Sequence, residues 1–164
     1  LFYITKFLDE FRATVYRQTQ FAEFEYLVHE MDKEEVPLTT EKLYETYYDL
    51  NKLYYKNVVN DEEIGYEWSR IPHFYTPFYV YKYATGFSCA IKIANDILNN
   101  KEGALENYLC FLKSGGSDYP LNILAKCGID MRKTDVIDDA VVMFKDRLIM
   151  AKKLREEMIN NGSK

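Results

Sequence analysis

The densest gathering of chemically capable side chains is the stretch IPHFYTPFYVYKYATG (71–86), which brings His73, Tyr75, Tyr79, Tyr81 and Tyr83 together around a predicted helix start. A phenol is a weak acid that donates a hydrogen bond without carrying charge, and an imidazole can donate from either ring nitrogen. Such groups suit the stabilisation of negative charge that develops on a carbonyl oxygen. At about 100° per residue, Tyr75, Tyr79 and Tyr83 form one helical stripe, while Phe78, Tyr81 and Thr85 share a different face. The same rings could instead simply pack, with their hydroxyls at the rim.

Other chemistries find less support. His29-Glu30 opens like the zinc motif in which two histidines four apart flank a general-base glutamate, but Lys33 stands where the second histidine belongs. His29 therefore reads as a partly exposed polar residue near a helix end. His29 and His73 are the only histidines, and they cannot furnish a three-ligand catalytic zinc site unless carboxylates take over. Ser117 lacks a nucleophile-elbow context. Metal-free catalysis through His73 and its tyrosines lacks an activated nucleophile. Cys89, Cys110 and Cys127 are scattered without paired spacing, which fits reduced thiols in a cytoplasmic protein. A net charge of −5 with dispersed Lys and Arg argues against nucleic-acid binding. The absence of a run of about 18 apolar residues argues against a membrane span.

The elements that must hold the aromatic stretch are helical. With 164 residues, 29% charged, 48% apolar and only 7 Gly and 4 Pro, the chain reads as one globular helical domain, 1–164. Its 15 Tyr and 10 Phe are the compositional anomaly. Phe7, Phe11, Phe21, Phe24 and Leu27 belong to a pattern that predicts helix over 2–32, broken at most once and stopped at Val36-Pro37. Thr39 or Thr40 caps a helix to about 56, and Asn60 or Asp61 caps a short one ending at Ile71-Pro72. The next helix spans about 76–98, with Pro77 in its first turn, and is expected to be the most buried. Helices over 101–113 and 120–126 follow, separated by Ser114-Gly115-Gly116-Ser117; Gly128 closes the second. Thr134 or Asp135 caps the last helix, with Ile137, Val141, Phe144, Leu148 and Leu154 inward. Six to seven helices and no strand make an all-α fold. Leu1 stands in an apolar run without a cap before it, as in a chain cut within a helix.

Three stretches, FRATVYRQTQFAEFEYLVHEM (11–31), DEEIGYEWSRIPHFYTPFYVYKYATGFS (61–88) and YLCFLKSGGSDYPLNILAKCGIDM (108–131), resemble the C-terminal part of oligoendopeptidase F, in the thimet-oligopeptidase-like zinc metallopeptidases. The resemblance implies a bowl-like or clamshell helical enzyme that hydrolyses short peptides in the cytoplasm. It also implies that the zinc ligands, two histidines of a HExxH helix and a later glutamate, precede the part matched here. The chain itself then carries no metal ligand, and zinc belongs to the intact enzyme.

By the same resemblance, His73 matches the histidine that contacts substrate or the oxyanion, Tyr81 the oxyanion tyrosine, and Tyr75 and Tyr79 further substrate contacts. The 114–117 loop is either a hinge near substrate or a plain connection. The expected partners are short peptides and the missing N-terminal catalytic part, whose contact surface should appear as an exposed apolar patch that could also support a dimer. The isolated chain is expected to be inactive. The alternative is a non-catalytic helical module whose aromatics bind a partner protein.

Overall fold

Helical spacing of the large apolar residues leads to an all-α fold in the computed structural model, which describes residues 1–162. Among the described residues there are seven α-helices and no strand: α1 (Phe2–Phe11), α2 (Arg17–Lys33), α3 (Thr40–Tyr54), α4 (Tyr81–Leu98), α5 (Ala104–Ser114), α6 (Pro120–Lys126) and α7 (Asp135–Gly162). A π-helical turn, Arg12–Tyr16, links α1 to α2, so the predicted 2–32 helix is one helical run with a wide turn inside it. Two 3-10 stretches, Glu62–Arg70 and Pro72–Tyr75, occupy the space between α3 and α4. None of the described helices is long and apolar enough to cross a membrane.

The chain divides into two compact units, one formed by Leu1–Arg12 with the chain from Thr85 onward, the other by Ala13–Ala84. In the second unit, α2 contributes Phe21 and Phe24, α3 contributes Tyr47 and Leu50, and the following segment contributes Ile71 and Val80 to one buried cluster. Pairs three residues apart share a helix face, which is why these four helical residues meet. Phe24 meets the Tyr47 ring edge-on at 5.1 Å and the Phe74 ring at 5.5 Å. Thr39 caps α3 as its sequence position predicts, in extended conformation and with its hydroxyl accepting the Lys42 N–H at 3.2 Å.

The same unit buries a carboxylate. Glu67 accepts hydrogen bonds from the Arg17 guanidinium at 2.7 Å, the Tyr47 hydroxyl at 2.7 Å and the Arg70 guanidinium. Burial by itself would raise its pKa; the bonds from Arg17 and Tyr47 and the two cationic charges outweigh it and hold the carboxyl below the ordinary glutamate value. The predicted short α-helix over 61–70 is thus a tighter 3-10 coil. Its Gly65 lies so close to the Tyr44 ring that a Cβ there would overlap it.

In the first unit, Phe11 is fully buried between Phe144, stacked at 4.7 Å, and Phe87 at 6.1 Å. Cys89, Ile129 and Val136 form a second cluster with Ile93, Leu124 and Met131. Lys92 bridges Asp96 at 3.1 Å and Asp139 at 2.8 Å. Gly128 closes α6 as expected: its φ of 86° is a left-handed value suited to glycine, and the Ile129 N–H reaches back to the Leu124 carbonyl at 2.9 Å. Asp118 accepts from Lys126 at 2.6 Å, Asn122 at 3.0 Å and the Tyr119 N–H at 2.7 Å, which bring its pKa down to about 2.

Two expectations are corrected. Val141 and Leu148 lie on the open side of α7, whose buried positions are Val136, Ala140 and Ala151. The helix expected from residue 76 begins at Tyr81. Pro77 forces Thr76 into an extended conformation, φ −120° and ψ 96°, and Phe78 adopts φ 54°, so no helical run can form before Tyr81.

The Glu67 network makes two measurable statements. Tyr47→Phe should destabilise the protein by about 1–3 kcal/mol in chemical denaturation, because a buried carboxylate oxygen loses its donor. Since the folded pKa of Glu67 lies below the unfolded one, its contribution is complete above the unfolded value of about 4.3 and is lost as pH falls from there through the folded value. Glu67→Gln should flatten the stability-versus-pH curve in that acid window.

Candidate functional site

Buried Ile71 and Val80 pin the two ends of the segment that carries His73, Tyr75 and Tyr79. Between them the chain makes the Pro72–Tyr75 3-10 turn, extends at Thr76, and turns left-handed at Phe78. A bulky residue in that conformation costs about 1–2 kcal/mol. The Glu25 carboxylate, from α2, accepts the Phe78 N–H at 2.7 Å, and a hydrogen bond to a charged group contributes about 1.5–3 kcal/mol, enough to hold the strained turn.

That turn delivers Tyr79 to His73. The imidazole and the Tyr79 ring stack with centroids 5.7 Å apart, and Tyr83, on the first turn of α4, meets His73 edge-on at 5.8 Å and Tyr79 edge-on at 5.6 Å. The Tyr83 hydroxyl lies 3.4 Å from His73 Nε2, and the Lys82 ammonium lies over the Tyr79 ring at 4.2 Å. A hydrogen bond shared with Tyr79, together with burial, keeps the Tyr83 phenol above its ordinary pKa, so it remains a neutral O–H at physiological pH. His73, Tyr79 and Tyr83 are each half-buried.

The predicted stripe of Tyr75, Tyr79 and Tyr83 therefore does not exist as a helix face. Tyr79 and Tyr83 meet through the loop and gather on His73, while Tyr75 projects outward at 86% exposure. Tyr81 opens α4 and is half exposed. The sequence reading includes Tyr83 in the cluster without giving it a role, and it does not connect Glu25 with the aromatic loop. The spacing of four between Tyr79 and Tyr83 is the signal that pairs them. No local signal marks Glu25, which acts on a residue 53 positions away.

Two further polar residues of α2 find partners. The Tyr54 hydroxyl donates to Glu23 at 2.6 Å, and His29 Nδ1 lies 2.7 Å from the Glu25 carbonyl while its ring lies 4.7 Å from that of Phe78. Among the described residues no group of three or more His, Cys, Asp or Glu side chains is placed to hold a metal ion. The residues present do not fit the zinc that the resemblance implies, and no chemical step is assigned to that ion in this chain.

Residues 2–143 match the model of Peptidase family M3, and the chain belongs to this family. It is 49% identical over 149 residues to Oligopeptidase PepF of Bacillus subtilis, covering 90% of this chain and 22% of that protein. It is 45% identical over 159 residues to Group B oligopeptidase PepB of Streptococcus agalactiae, covering 96% and 26%. The crystal structure of oligoendopeptidase-F from Enterococcus faecium superposes with a TM-score of 0.91 at 50% identity, over 94% of this chain and 30% of that one. The chain thus spans 22–26% of the length of these two curated relatives.

The cluster geometry is checked by 15N NMR of the imidazole. Tyr83→Phe removes the hydroxyl at Nε2 and should move the His73 ring resonances, whereas Tyr75→Phe, at an exposed position, should leave them in place.

Proposed function

We propose that this chain supplies the substrate-binding and oxyanion-stabilising part of a zinc-dependent oligoendopeptidase that hydrolyses short peptides. The observation that carries the reading is the cluster of His73 with Tyr79 and Tyr83, each of them partly exposed, lying inside the matched region. In this reading His73 and Tyr81 donate hydrogen bonds to the carbonyl oxygen of the scissile amide as negative charge grows there, and Tyr75 and Tyr79 bear on the peptide. Fixed hydrogen-bond donors suit this task, because they favour the developing anion over the uncharged ground state.

The zinc ligands would belong to residues beyond these 164, in keeping with the large share of each relative that the chain leaves uncovered. The remaining partners are short peptides and that catalytic part of the same polypeptide. A cytoplasmic location belongs to the same proposal, supported by three cysteines left as free thiols.

A second reading, a helical module that binds a partner protein without catalysis, is favoured by the exposed row Leu105, Leu109 and Leu112 along one face of α5. That row is an example of the apolar surface through which the chain would dock on its catalytic part or dimerise.

Steady-state kinetics of the whole polypeptide separate the two. Tyr81→Phe and His73→Ala should each lower kcat by about 10²–10³-fold, the loss expected for one oxyanion donor, with zinc content unchanged. Unchanged turnover in both would remove the proposed roles. The 164-residue chain alone should neither cleave short peptides nor bind zinc stoichiometrically.

A further inference from the structure

We propose that Glu25 is a positioning residue, whose buried carboxylate holds the left-handed turn at Phe78 and thereby sets Tyr79 against His73 and fixes where α4 begins. The inference rests on the reading of His73 and its tyrosines as substrate-facing groups. Glu25 is only 6% exposed, which is costly for a carboxylate unless something compensates. Among the described residues it enters no ion pair, and its hydrogen bond is to the main-chain N–H of Phe78 at 2.7 Å. That N–H belongs to the one residue between His73 and Tyr83 with a positive φ, 54°.

A second contact grips the same residue from the side. The His29 ring, one turn further along α2, lies 4.7 Å from the Phe78 ring, and His29 Nδ1 donates to the Glu25 carbonyl at 2.7 Å, which orients the imidazole. Phe78 is therefore held by its backbone and by its ring from one helix face, although its side chain is 52% exposed and contributes little burial of its own. Tyr79 follows immediately, with Lys82 over its outer face and His73 within stacking distance. If the turn relaxes toward an ordinary conformation, Tyr79 swings off His73, and the start of α4, with Tyr81 and Tyr83, loses its fixed approach.

The test uses the whole polypeptide, with hydrogen–deuterium exchange at 76–80 and kinetics on a short chromogenic peptide. Glu25→Ala should speed exchange at 76–80 by about tenfold or more, with α3 unaffected, and lower kcat by a similar factor with little change in KM. Glu25→Gln, whose side-chain oxygen can still accept the Phe78 N–H, should restore most of both. Should Glu25→Ala fail to fold, Glu25→Asp, one methylene too short to reach Phe78, should show the same two changes.

Unaltered exchange at 76–80 in Glu25→Ala or Glu25→Asp would overturn the proposal. So would equal losses in the Ala and Gln variants accompanied by faster exchange throughout the chain, which is the mark of a merely structural residue. A wild-type polypeptide that cleaves no peptide would defeat the functional reading alone; the exchange contrast between Ala and Gln would still decide what Glu25 does.

Discussion

The unit that carries His73 depends on one buried charge. Removing a carboxylate from water costs several kcal/mol even after relaxation, and the cost is offset only when its oxygens are fully engaged. Glu67 meets that condition with Arg17 from α2, Tyr47 from α3 and Arg70 from its own coil. Three segments far apart in sequence are thereby committed to one geometry, since withdrawing any of them leaves an uncompensated group in the interior. Ile71 enters the core four residues after Glu67, and His73 follows two residues later. The place of the imidazole is inherited from the placement of that carboxylate.

The aromatic loop adds a second layer of constraint. Its ends are held by apolar burial at Ile71 and Val80, which is strong but does not set direction. Direction comes from the hydrogen bond to Phe78 and from the edge and stacking preferences of three rings spaced 5.6–5.8 Å apart. The richness in tyrosine thus serves two ends. Tyr47 and Tyr54 spend their hydroxyls on the buried Glu67 and the half-buried Glu23, and burial followed by those bonds pushes both phenols well above their ordinary pKa. Tyr83 keeps its hydroxyl near the half-buried His73 imidazole, and Tyr79 stacks its ring on it.

Much of the helical framework was legible in advance because its causes are local. The Thr39 cap, the Gly128 terminator and the apolar spacing of α2 and α3 each depend on neighbours within about one or two helical turns. The stretch 76–80 was misread for a local reason too: Pro77 suits a first helical turn, but it also bars the helical conformation from Thr76, and periodicity weighs only the first effect. The inward side of α7 was misjudged at Val141 and Leu148 because spacing names a stripe but not its partner.

The sequence by itself determined that the chain is helical, that imidazole and phenols concentrate around residues 73–83, and, through three extended stretches, which family it joins. Helical order and family likeness survive in one dimension because both are written in short-range spacing. Only the tertiary structure decided that His73 is joined by Tyr79 and Tyr83 while Tyr75 is left outside, and that Glu25 and Glu67 stand behind them. Those choices rest on a left-handed turn and on hydrogen bonds between residues 50 and 53 positions apart, and no pattern of neighbours encodes a partner at that distance.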